Sequence, residues 1–472
     1  MKSIAQIAAE LQGYDPQALS AADVSRFLSQ LVEPVQDVME LPLFEALGRV
    51  LAADVVSPFD VPPHDNSAMD GYAFAGAQLA AGTALALKVV GTALAGKAWQ
   101  GMVGAGECVK IMTGAIMPSG LDTVVPQEFV NVQADTVTLP AQLLQPGDNR
   151  RLRGEDLMRG RPALLKGELL TPARLGLAAS LGLKTVRTWR PLRVAYFSTG
   201  DEILSLGEAP REGAVYDSNR YTVFGMLRRL GCEVIDMGVV RDDPALLEAA
   251  FTRAAAQADA IITSGGVSVG EADYTKAMMK KLGDVVFWKI AMRPGRPMAV
   301  GRISQAKSAS SPMDSGASSS QNNSNPNGDS RFADGSPQGE TAPPGGSEPH
   351  GVGSVGAILF GLPGNPVAVM VTFLAFVRPA LLQMMGSTAP AAPLLKARSL
   401  EPMRKKPGRT EYQRGWVSTT ADGSLQVKTT GNQGSGVLSS MAQANGLVVL
   451  HHAQGSVKAG EEVDVMMFEG VL

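Results

Sequence analysis

The chain has 472 residues, of which 45% are hydrophobic and 18% charged, and its net charge at pH 7 is −3. This length exceeds a single core and predicts roughly three or four domains, while the lack of a basic surplus argues against nucleic acid as the main partner. The two cysteines, Cys108 and Cys232, lie far apart without CxxC or histidine spacing, which argues against zinc, iron–sulfur and disulfide frameworks and favours a reducing cytoplasm.

The first predicted elements are helical. Ala21 to Leu31 carries apolar residues at helical intervals, and Leu43 to Val50 continues in a second short helix. From about Val55 to Gln145, short β-type runs separated by glycine predict a small β domain. Pro172 to Leu183 is predicted to be a helix that packs back on the opening helices, which makes the first domain discontinuous.

From Arg193 onward, strands and helices alternate. The run RVAYFS begins the pattern, and predicted helices at 221–230 and 245–257 alternate with strands at 232–237 and 260–262. Alternation with mostly apolar strands predicts a parallel sheet covered by helices on both faces.

Residues 304–356 interrupt this pattern with a polar run and a single aromatic residue, Phe332, a composition that predicts a disordered insert. The flanking runs 297–301 and 357–360 are predicted to be neighbouring strands, so the insert is interpreted as an enlarged loop between them. From Ala397 onward, short strands predict a C-terminal β barrel or sandwich.

Two features bear on membranes. The N-terminus lacks the long apolar core and cleavage site of a signal peptide. The most apolar segment, Val367 to Met385, is interrupted by Arg378 and Pro379, so it predicts a buried helix and no membrane association.

A glycine-rich turn, TSGGVSVGEAD at 263–273, follows the strand at 260–262 and leads into a helix near Tyr274. Such a turn leaves backbone NH groups uncovered, so an anionic phosphate can approach them. Glu271 and Asp273 would repel a bare phosphate but can hold a divalent cation that bridges to it. The turn therefore predicts a nucleotide-like ligand with magnesium.

A second loop, GLPGNP at 361–366, also stands between a strand and a helix. It could be only a helix start, because Asn365 can cap the helix and Pro366 suits its first turn. Two helix N-termini at the carboxyl edge of one sheet nevertheless form an anion crevice, which favours the binding interpretation.

A third loop of this kind is STGDE at 198–202. Its Glu202, together with Asp242 and Asp273, is expected at the same sheet edge, where oxygen ligands suit magnesium. One of Asp242 and Asp243 is expected to begin the following helix instead.

Basic residues form a further group. The turn RPGRP at 293–297 holds two guanidinium groups on a stiff backbone, with Lys289 before it, which suits an oxyanion. The basic run from Arg404 to Arg409 is consistent with a solvated face. The motifs DNSAMDGYA and IMTG of the β domain remain ambiguous by composition.

Nine motifs occur in a fixed order over nearly the whole chain: DNSAMDGYA, IMTGA, RGED, STGDE, YDSNR, SGGVSVGEADYT, RPGRP, GLPGNP and PGRTEYQRG. Together they closely resemble the MoeA family, the molybdopterin molybdenumtransferases, whose eukaryotic relatives include a domain of gephyrin. The resemblance implies a multidomain α/β plus β fold. It combines a central parallel-sheet α/β domain like that of MogA and MoaB with an extended N-terminal domain, a small β domain and a C-terminal β barrel.

With this resemblance the domains are predicted as an extended N-terminal domain at 1–57 and 150–188, a small β domain at 58–149, a molybdopterin-binding α/β domain at 189–303 and 357–388, the insert at 304–356, and a C-terminal β domain at 389–472. The resemblance implies an elongated homodimer, with each active site between the α/β domain of one subunit and domains of the other. A molybdopterin adenylyltransferase and molybdoenzyme-maturation proteins are expected partners.

The resemblance also implies a reaction. Adenylated molybdopterin binds, molybdate joins its dithiolene sulfurs, and Mg²⁺-dependent cleavage releases AMP and molybdenum cofactor. The implied catalytic residues are Asp70, Thr113, Glu202, Asp242 and Asp273, of which the last three hold Mg²⁺. The implied cofactor-binding residues are Ser264, Gly265, Gly266, Ser268, Gly270, Gly361, Pro363, Gly364 and Asn365. The implied molybdate ligands are Lys289, Arg293, Arg296, Arg409 and Ser435.

This chain departs from many relatives at two positions, with Arg296 where they carry Lys and Ala368 where they carry Ser. Because Arg keeps the charge but not its geometry, and Ala lacks a hydroxyl, both changes bear on oxyanion affinity. Two other functions stay open, a molybdopterin adenylyltransferase and a non-catalytic molybdopterin carrier or scaffold. The preference between molybdate and tungstate is also open.

Overall fold

In this computed structural model, the described residues are 2–11, 13–80, 82–267, 274–304 and 356–468. The chain forms two compact units. The first comprises Met1–Leu31, Arg193–Val377 and Pro393–Leu472, and the second comprises Val32–Leu192 and Arg378–Ala392. The predicted insert, apart from its two end residues, lies outside the described residues.

The helices of these ranges are α1 Ile4–Glu10, α2 Ala21–Leu31, α3 Pro172–Ser180, α4 Ser218–Arg229, α5 Pro244–Gln257, α6 Tyr274–Leu282, α7 Pro366–Thr372, α8 Arg378–Met384 and α9 Leu438–Ala442. A π-helical turn, Phe373–Val377, joins α7 to α8. The strands are β1 Val38–Pro42, β2 Val55–Val56, β3 Asn66–Ser67, β4 Gly71–Phe74, β5 Leu85–Ala93, β6 Glu107–Ile111, β7 Thr123–Pro126, β8 Asn131–Gln133, β9 Thr136–Leu139, β10 Arg150–Arg151, β11 Pro162–Leu164, β12 Thr185–Trp189, β13 Arg193–Thr199, β14 Ile203–Leu204, β15 Val215–Tyr216, β16 Glu233–Val240, β17 Ala260–Ser264, β18 Gly283–Lys289, β19 Met292–Arg293, β20 Pro297–Ile303, β21 Ala357–Leu362, β22 Leu395–Ser399, β23 Thr410–Thr419, β24 Leu425–Thr429, β25 Gly446–Leu450 and β26 Glu462–Met467.

A six-stranded sheet lies at the centre of the first unit, in the order β16-β13-β17-β21-β20-β18. The first four strands are parallel, and β20 and β18 are antiparallel additions. Alternate residues of β13, such as Ala195 and Phe197, share a core with Phe251 of α5 and Met279 of α6. Helix α4 contacts β13 and β16 and packs on α7. The predicted parallel-sheet α/β domain is confirmed.

Helices α1 and α2 belong to this first unit as well. The Arg302 guanidinium donates hydrogen bonds to the carbonyls of Lys2, at 2.8 Å, and of Leu31, at 2.6 Å. The sequence analysis grouped residues 1–31 with 32–57, whereas residues 1–31 fall in the first compact unit, where these bonds join residues 271 and 300 positions apart. The other predicted boundaries stay predictions.

The C-terminal strands form a closed five-stranded barrel in the order β23-β24-β22-β26-β25, because β25 pairs back with β23. Alternate residues such as Val448, Leu450, Val463 and Val465 fill its interior. Strand β19 adds to β23 in parallel. The prediction of a C-terminal β barrel is confirmed.

In the second unit, a six-stranded sheet has the order β7-β4-β6-β5-β9-β8. Its two faces carry separate cores, one containing Ala73 and Val109 and the other Tyr72 and Cys108. This alternation places the sheet where the sequence predicted a small β domain.

The second unit has a further core, in which Ala178 of α3 and Leu181 pack with Ala46 and Leu51. The sequence analysis paired α3 with the opening elements at 21–31 and 43–50; it packs on the second of these, whereas α2 belongs to the other unit. The predicted helix at 43–50 is also wrong. Only the 3-10 turn Leu43–Glu45 forms, and the chain soon adopts φ +73° at Gly48, which an α-helix does not accommodate.

The segment Pro366–Met384 is one continuous helix of 19 residues, long and apolar enough by composition to cross a membrane. In the folded chain, however, 67% of an 18-residue apolar stretch of this helix is buried inside the protein. Because core helices pass the same length and composition test, this burial agrees with the predicted buried helix.

Candidate functional site

A pocket of about 540 Å³ lies in the first unit at the carboxyl ends of β13, β17 and β21. All three predicted loops reach it, because parallel neighbouring strands end at one edge of their sheet. The structure thus brings together these residues singled out from the sequence: Glu202, Ser264, Gly265, Gly364 and Asn365. Gly436 and Leu438 of the C-terminal region complete the wall.

Two glycines shape the loop after β17. Gly265 has φ +90°, and a Cβ at this position would lie 2.4 Å from the carbonyl oxygen of Thr199. Gly266 has φ +63°, and its Cβ would meet the Thr275 side chain of α6 at 2.5 Å. The sequence predicted glycine here for ligand approach, whereas the structure shows that contacts within the protein also require it.

Three buried hydroxyl groups lie beneath this loop. Tyr196 Oη lies 2.9 Å from Ser198 Oγ and 2.7 Å from Ser264 Oγ, and the two serine oxygens are 3.1 Å apart. Burial raises the pKa of Tyr196 far above its ordinary value, so the phenol is neutral at physiological pH. These bonds tie the ends of β13 and β17 together and orient Ser264 at the pocket.

The GLPGNP loop differs in detail from its prediction. Asn365 holds the N-cap position of α7 and Pro366 its first turn, but the Asn365 side chain makes no capping bond. The carbonyl of Ser435 accepts from the Val367 NH at 3.1 Å instead. Gly361 and Pro363 are buried and not among the pocket-lining residues; a Cβ on Gly361 would lie 2.8 Å from Ala299 Cβ, so its role is packing.

Four residues of the YDSNR motif, at 216–219, line the pocket, although the sequence analysis gave them no role. Two of them make hydrogen bonds that shape it. Asp217 caps α4 by accepting from the Arg220 NH at 3.0 Å. The Asn219 amide donates to the Gly364 carbonyl at 2.7 Å and so holds the GLPGNP loop. An acid at a helix start was the available signal for Asp217, whereas the contact of Asn219 spans 145 positions and had none.

The predicted magnesium ligands are only partly gathered. Glu202 lines the pocket, and the Asp242 NH lies 3.4 Å from the Asp201 carboxylate, so these two loops are neighbours. Asp243 caps α5, which confirms that one acid of this pair begins the helix. Asp273 lies outside the described residues, as do Ser268 and Gly270. In the part of the chain that the structure describes, no group of three or more His, Cys, Asp or Glu side chains could hold a metal.

A second cavity of about 260 Å³ collects three of the five predicted molybdate ligands, Lys289, Arg296 and Arg409. Every charged side chain that lines it is cationic. The Arg409 guanidinium also pairs with Glu411 at 2.7 Å, and Glu411 is only 2% exposed. The cavity therefore presents positive charge that the protein only partly neutralises.

The other predicted molybdate ligands do not line this cavity. Arg293 lies on β19 and pairs in register with Glu411 of β23. Ser435 contacts α7 through its carbonyl beside the larger pocket. Ala368 is buried in α7 and lines neither cavity, whereas Arg296, the other departure from many relatives, does line the cationic one.

Asp70 and Thr113 lie in the second unit, and the structure places them in direct contact. The Asp70 carboxylate accepts from the Thr113 NH at 2.6 Å and from its hydroxyl at 2.7 Å. These bonds, the side-chain one first, lower the pKa of Asp70, so it remains ionised. The two motifs that composition left ambiguous thus form one polar site.

Three family models match almost the whole chain. They are described as the MoeA N-terminal region (domain I and II), matching 19–182, a probable molybdopterin binding domain, matching 195–383, and the MoeA C-terminal region (domain IV), matching 396–468.

Full-length relatives agree with these matches. The chain is 38% identical over 449 residues to a molybdopterin molybdenumtransferase of Haemophilus influenzae, covering 95% of this chain and 98% of the relative. It is 32% identical over 468 residues to a protein of that name from Nostoc, covering 97% and 95%. A crystal structure of the molybdopterin biosynthesis MoeA protein of Pyrococcus horikoshii superposes with a TM-score of 0.72 at 24% identity, covering 96% of this chain and 100% of that chain.

Proposed function

Because the chain belongs to the MoeA family, we propose that it is a molybdopterin molybdenumtransferase, an enzyme that inserts molybdenum into molybdopterin. The curated relatives bear this name over nearly their full length. The observation that carries the proposal is the meeting of three strand-end loops at one pocket, because such a crevice suits a phosphate-bearing ligand.

The pocket would take adenylated molybdopterin. The Gly265 NH donates to the Leu362 carbonyl at 3.2 Å, and the Gly364 carbonyl accepts from the Asn219 amide at 2.7 Å, so both glycines are held in place at the pocket. A pocket wall that is held in place loses little freedom on binding, which favours affinity for the diphosphate. Glu202 lines the same pocket, so its carboxylate would lie near the diphosphate whose cleavage releases AMP.

The cationic cavity would take molybdate. Molybdate is a tetrahedral dianion, and Lys289, Arg296 and Arg409 supply charged donors from two parts of the chain. The Arg409–Glu411 pair fixes one guanidinium and leaves its remaining donors for the oxyanion. These residues hold and orient the oxyanion; attack by the dithiolene sulfurs is chemistry of the substrate.

We propose that the site also binds Mg²⁺. Glu202 and the neighbouring Asp242 offer carboxylates, and Asp273 is proposed as the third ligand. The described residues by themselves form no complete ligand set for the ion. Loss of AMP release on chelation, restored by added Mg²⁺, would support the assignment.

We also propose a homodimer in which Asp70 and Thr113 complete the site of a second copy. Exposed apolar side chains at 38–47, including a fully exposed Phe44, support a self-interface in the second unit. Light scattering of the full chain tests this, and a monomer at micromolar concentration would contradict it.

Buried free cysteines support a cytoplasmic location. The reaction also needs an adenylylating enzyme to supply the substrate and an acceptor of the cofactor.

The decisive experiment measures AMP release from adenylated molybdopterin with Mg²⁺ and molybdate. Glu202→Gln and Arg296→Met should each lower turnover at least about tenfold, the loss of one charged contact. Glu208→Gln, in the same loop region, and the exposed Arg404→Met serve as matched controls. Wild-type turnover in both test variants would contradict the site. ATP-dependent adenylylation of molybdopterin would favour the adenylyltransferase, and binding without turnover would favour the carrier.

A further inference from the structure

We propose that the segment Tyr14–Leu19 is a wall of the cationic cavity and that Gln17 determines its affinity for a tetrahedral oxyanion. This inference rests on the proposed function only in taking that cavity as an oxyanion site. Gln17 and Ala18 line the cavity together with Lys289, Arg296 and Arg409. The first family match begins at residue 19, so both lining residues precede the matched region.

The segment is attached to the cavity by backbone hydrogen bonds. The Lys289 NH donates to the Pro16 carbonyl at 2.8 Å, and the Ala291 NH donates to the Leu19 carbonyl at 2.7 Å. Leu19 and Ile290 thereby form a parallel bridge. Because the backbone NH groups of Lys289 and Ala291 donate these bonds, the segment fixes the position of the Lys289 backbone beside the cavity.

Tyr14 anchors the other end of the segment. Its hydroxyl accepts from Trp288 Nε1 at 3.0 Å, and its ring stacks on Phe27 with centroids 6.0 Å apart. Trp288 is 2% exposed. The segment is therefore held at both ends, with Gln17 between them at the cavity.

The chemistry of Gln17 suits this position. The Gln17 backbone NH donates to the Asp15 carboxylate at 2.8 Å, which fixes the backbone. The side-chain amide can then donate to an anion in the cavity. The three charged lining residues attract any anion, but an amide adds a directional donor without further charge. Gln17 is thus a positioning and specificity residue for an oxyanion whose charge the cations neutralise.

The test compares Gln17→Glu, Gln17→Leu and wild type in the full chain, by calorimetric titration with inorganic molybdate and, separately, sulfate. Gln17→Glu should weaken molybdate binding at least about tenfold, because it places a negative charge beside a dianion. Gln17→Leu should weaken it about three- to tenfold through the loss of one hydrogen bond. Gln36→Glu, which adds the same charge to an exposed glutamine of the second unit, is the control and should bind as wild type.

Gln17 is exposed, so its variants should unfold at the wild-type temperature, and a thermal scan checks this. In turnover assays, the KM for molybdate should rise while kcat at saturating molybdate stays within about twofold. Molybdate binding within twofold of wild type in both Gln17 variants would overturn the proposal, even if wild-type AMP release depends on molybdate. A Gln17-dependent affinity without any AMP release would support it while the proposed function failed.

Discussion

The carboxylate of Asp70 accepts two hydrogen bonds from Thr113, one from the backbone NH at 2.6 Å and one from the side-chain hydroxyl at 2.7 Å. The two residues lie 43 positions apart, on motifs that composition alone could not interpret. Their contact makes one ionised, pre-oriented carboxylate in the β domain.

This contact predicts a pKa change. Thr113→Ala removes the hydroxyl bond, so the pKa of Asp70 should rise toward its ordinary value of 3.8, whereas Thr113→Ser should keep it low. Because the folded pKa lies below the unfolded one, the interaction contributes fully above the unfolded value and is lost as pH falls through the folded value. A carboxyl-carbon NMR titration measures this, and equal Asp70 pKa values in both variants would contradict it.

Arg414 predicts a large effect on stability. It is fully buried, and its guanidinium donates to Ser440 Oγ at 3.0 Å and to three carbonyls at 3.0–3.2 Å, those of Asn432, Gln433 and Gly434. Burial first, and then the nearby charge of Arg293, lower the pKa of Arg414 to about 10, so it remains a cation at neutral pH.

Arg414→Met leaves those acceptors unpaired and should lower the free energy of unfolding by about 2–4 kcal/mol. Since the loop it holds leads into Gly436 of the larger pocket, AMP affinity should also fall. Urea denaturation measures the first effect and calorimetry the second. The exposed Arg253→Met should change stability by less than about 0.5 kcal/mol, and an equal loss in both variants would refute the role of the buried bonds.

Two glycine substitutions separate the cost of backbone strain from the cost of a steric clash. Gly265→Ala meets both a positive φ of +90° and the Thr199 carbonyl at 2.4 Å, whereas Gly207→Ala meets φ +91° with no atom within 4 Å. Gly207→Ala should cost about 1–2 kcal/mol from strain alone. Gly265→Ala should cost clearly more and weaken AMP binding. Equal losses of stability in denaturant titrations would show that the close approach is unimportant.

Tyr196 predicts a modest effect on stability and a distinct optical one. In Tyr196→Phe, Ser198 and Ser264 can still bond each other across 3.1 Å, so the loss should be about 1 kcal/mol. Because burial raises its pKa far above the ordinary value, Tyr196 should ionise only when the protein unfolds at high pH. Phenolate absorbance during an alkaline titration measures this. If wild type gained one more phenolate than Tyr196→Phe before the protein unfolds, the prediction would be contradicted.

Much of the site followed from local pattern. The loops at Thr199, Ser264 and Gly364 were expected to meet because apolar strands alternating with helices make a parallel sheet, whose strand ends share an edge. The grouping of residues 2–31 with that sheet was not expected. It depends on Arg302 reaching carbonyls far along the chain, and no local signal marks such a partner.

The order of the motifs and the periodicity of apolar residues determined, by themselves, the family, the α/β sheet and the C-terminal barrel, because these properties are local and repeat along the chain. Only the tertiary structure decided that Asn219 holds Gly364, that Gln17 stands beside Lys289, and that Arg293 and Ser435 lie outside the cavity of their expected partners. Such placements follow from packing and hydrogen bonds between residues far apart along the chain. The spacing of residues in the sequence does not encode which of them meet.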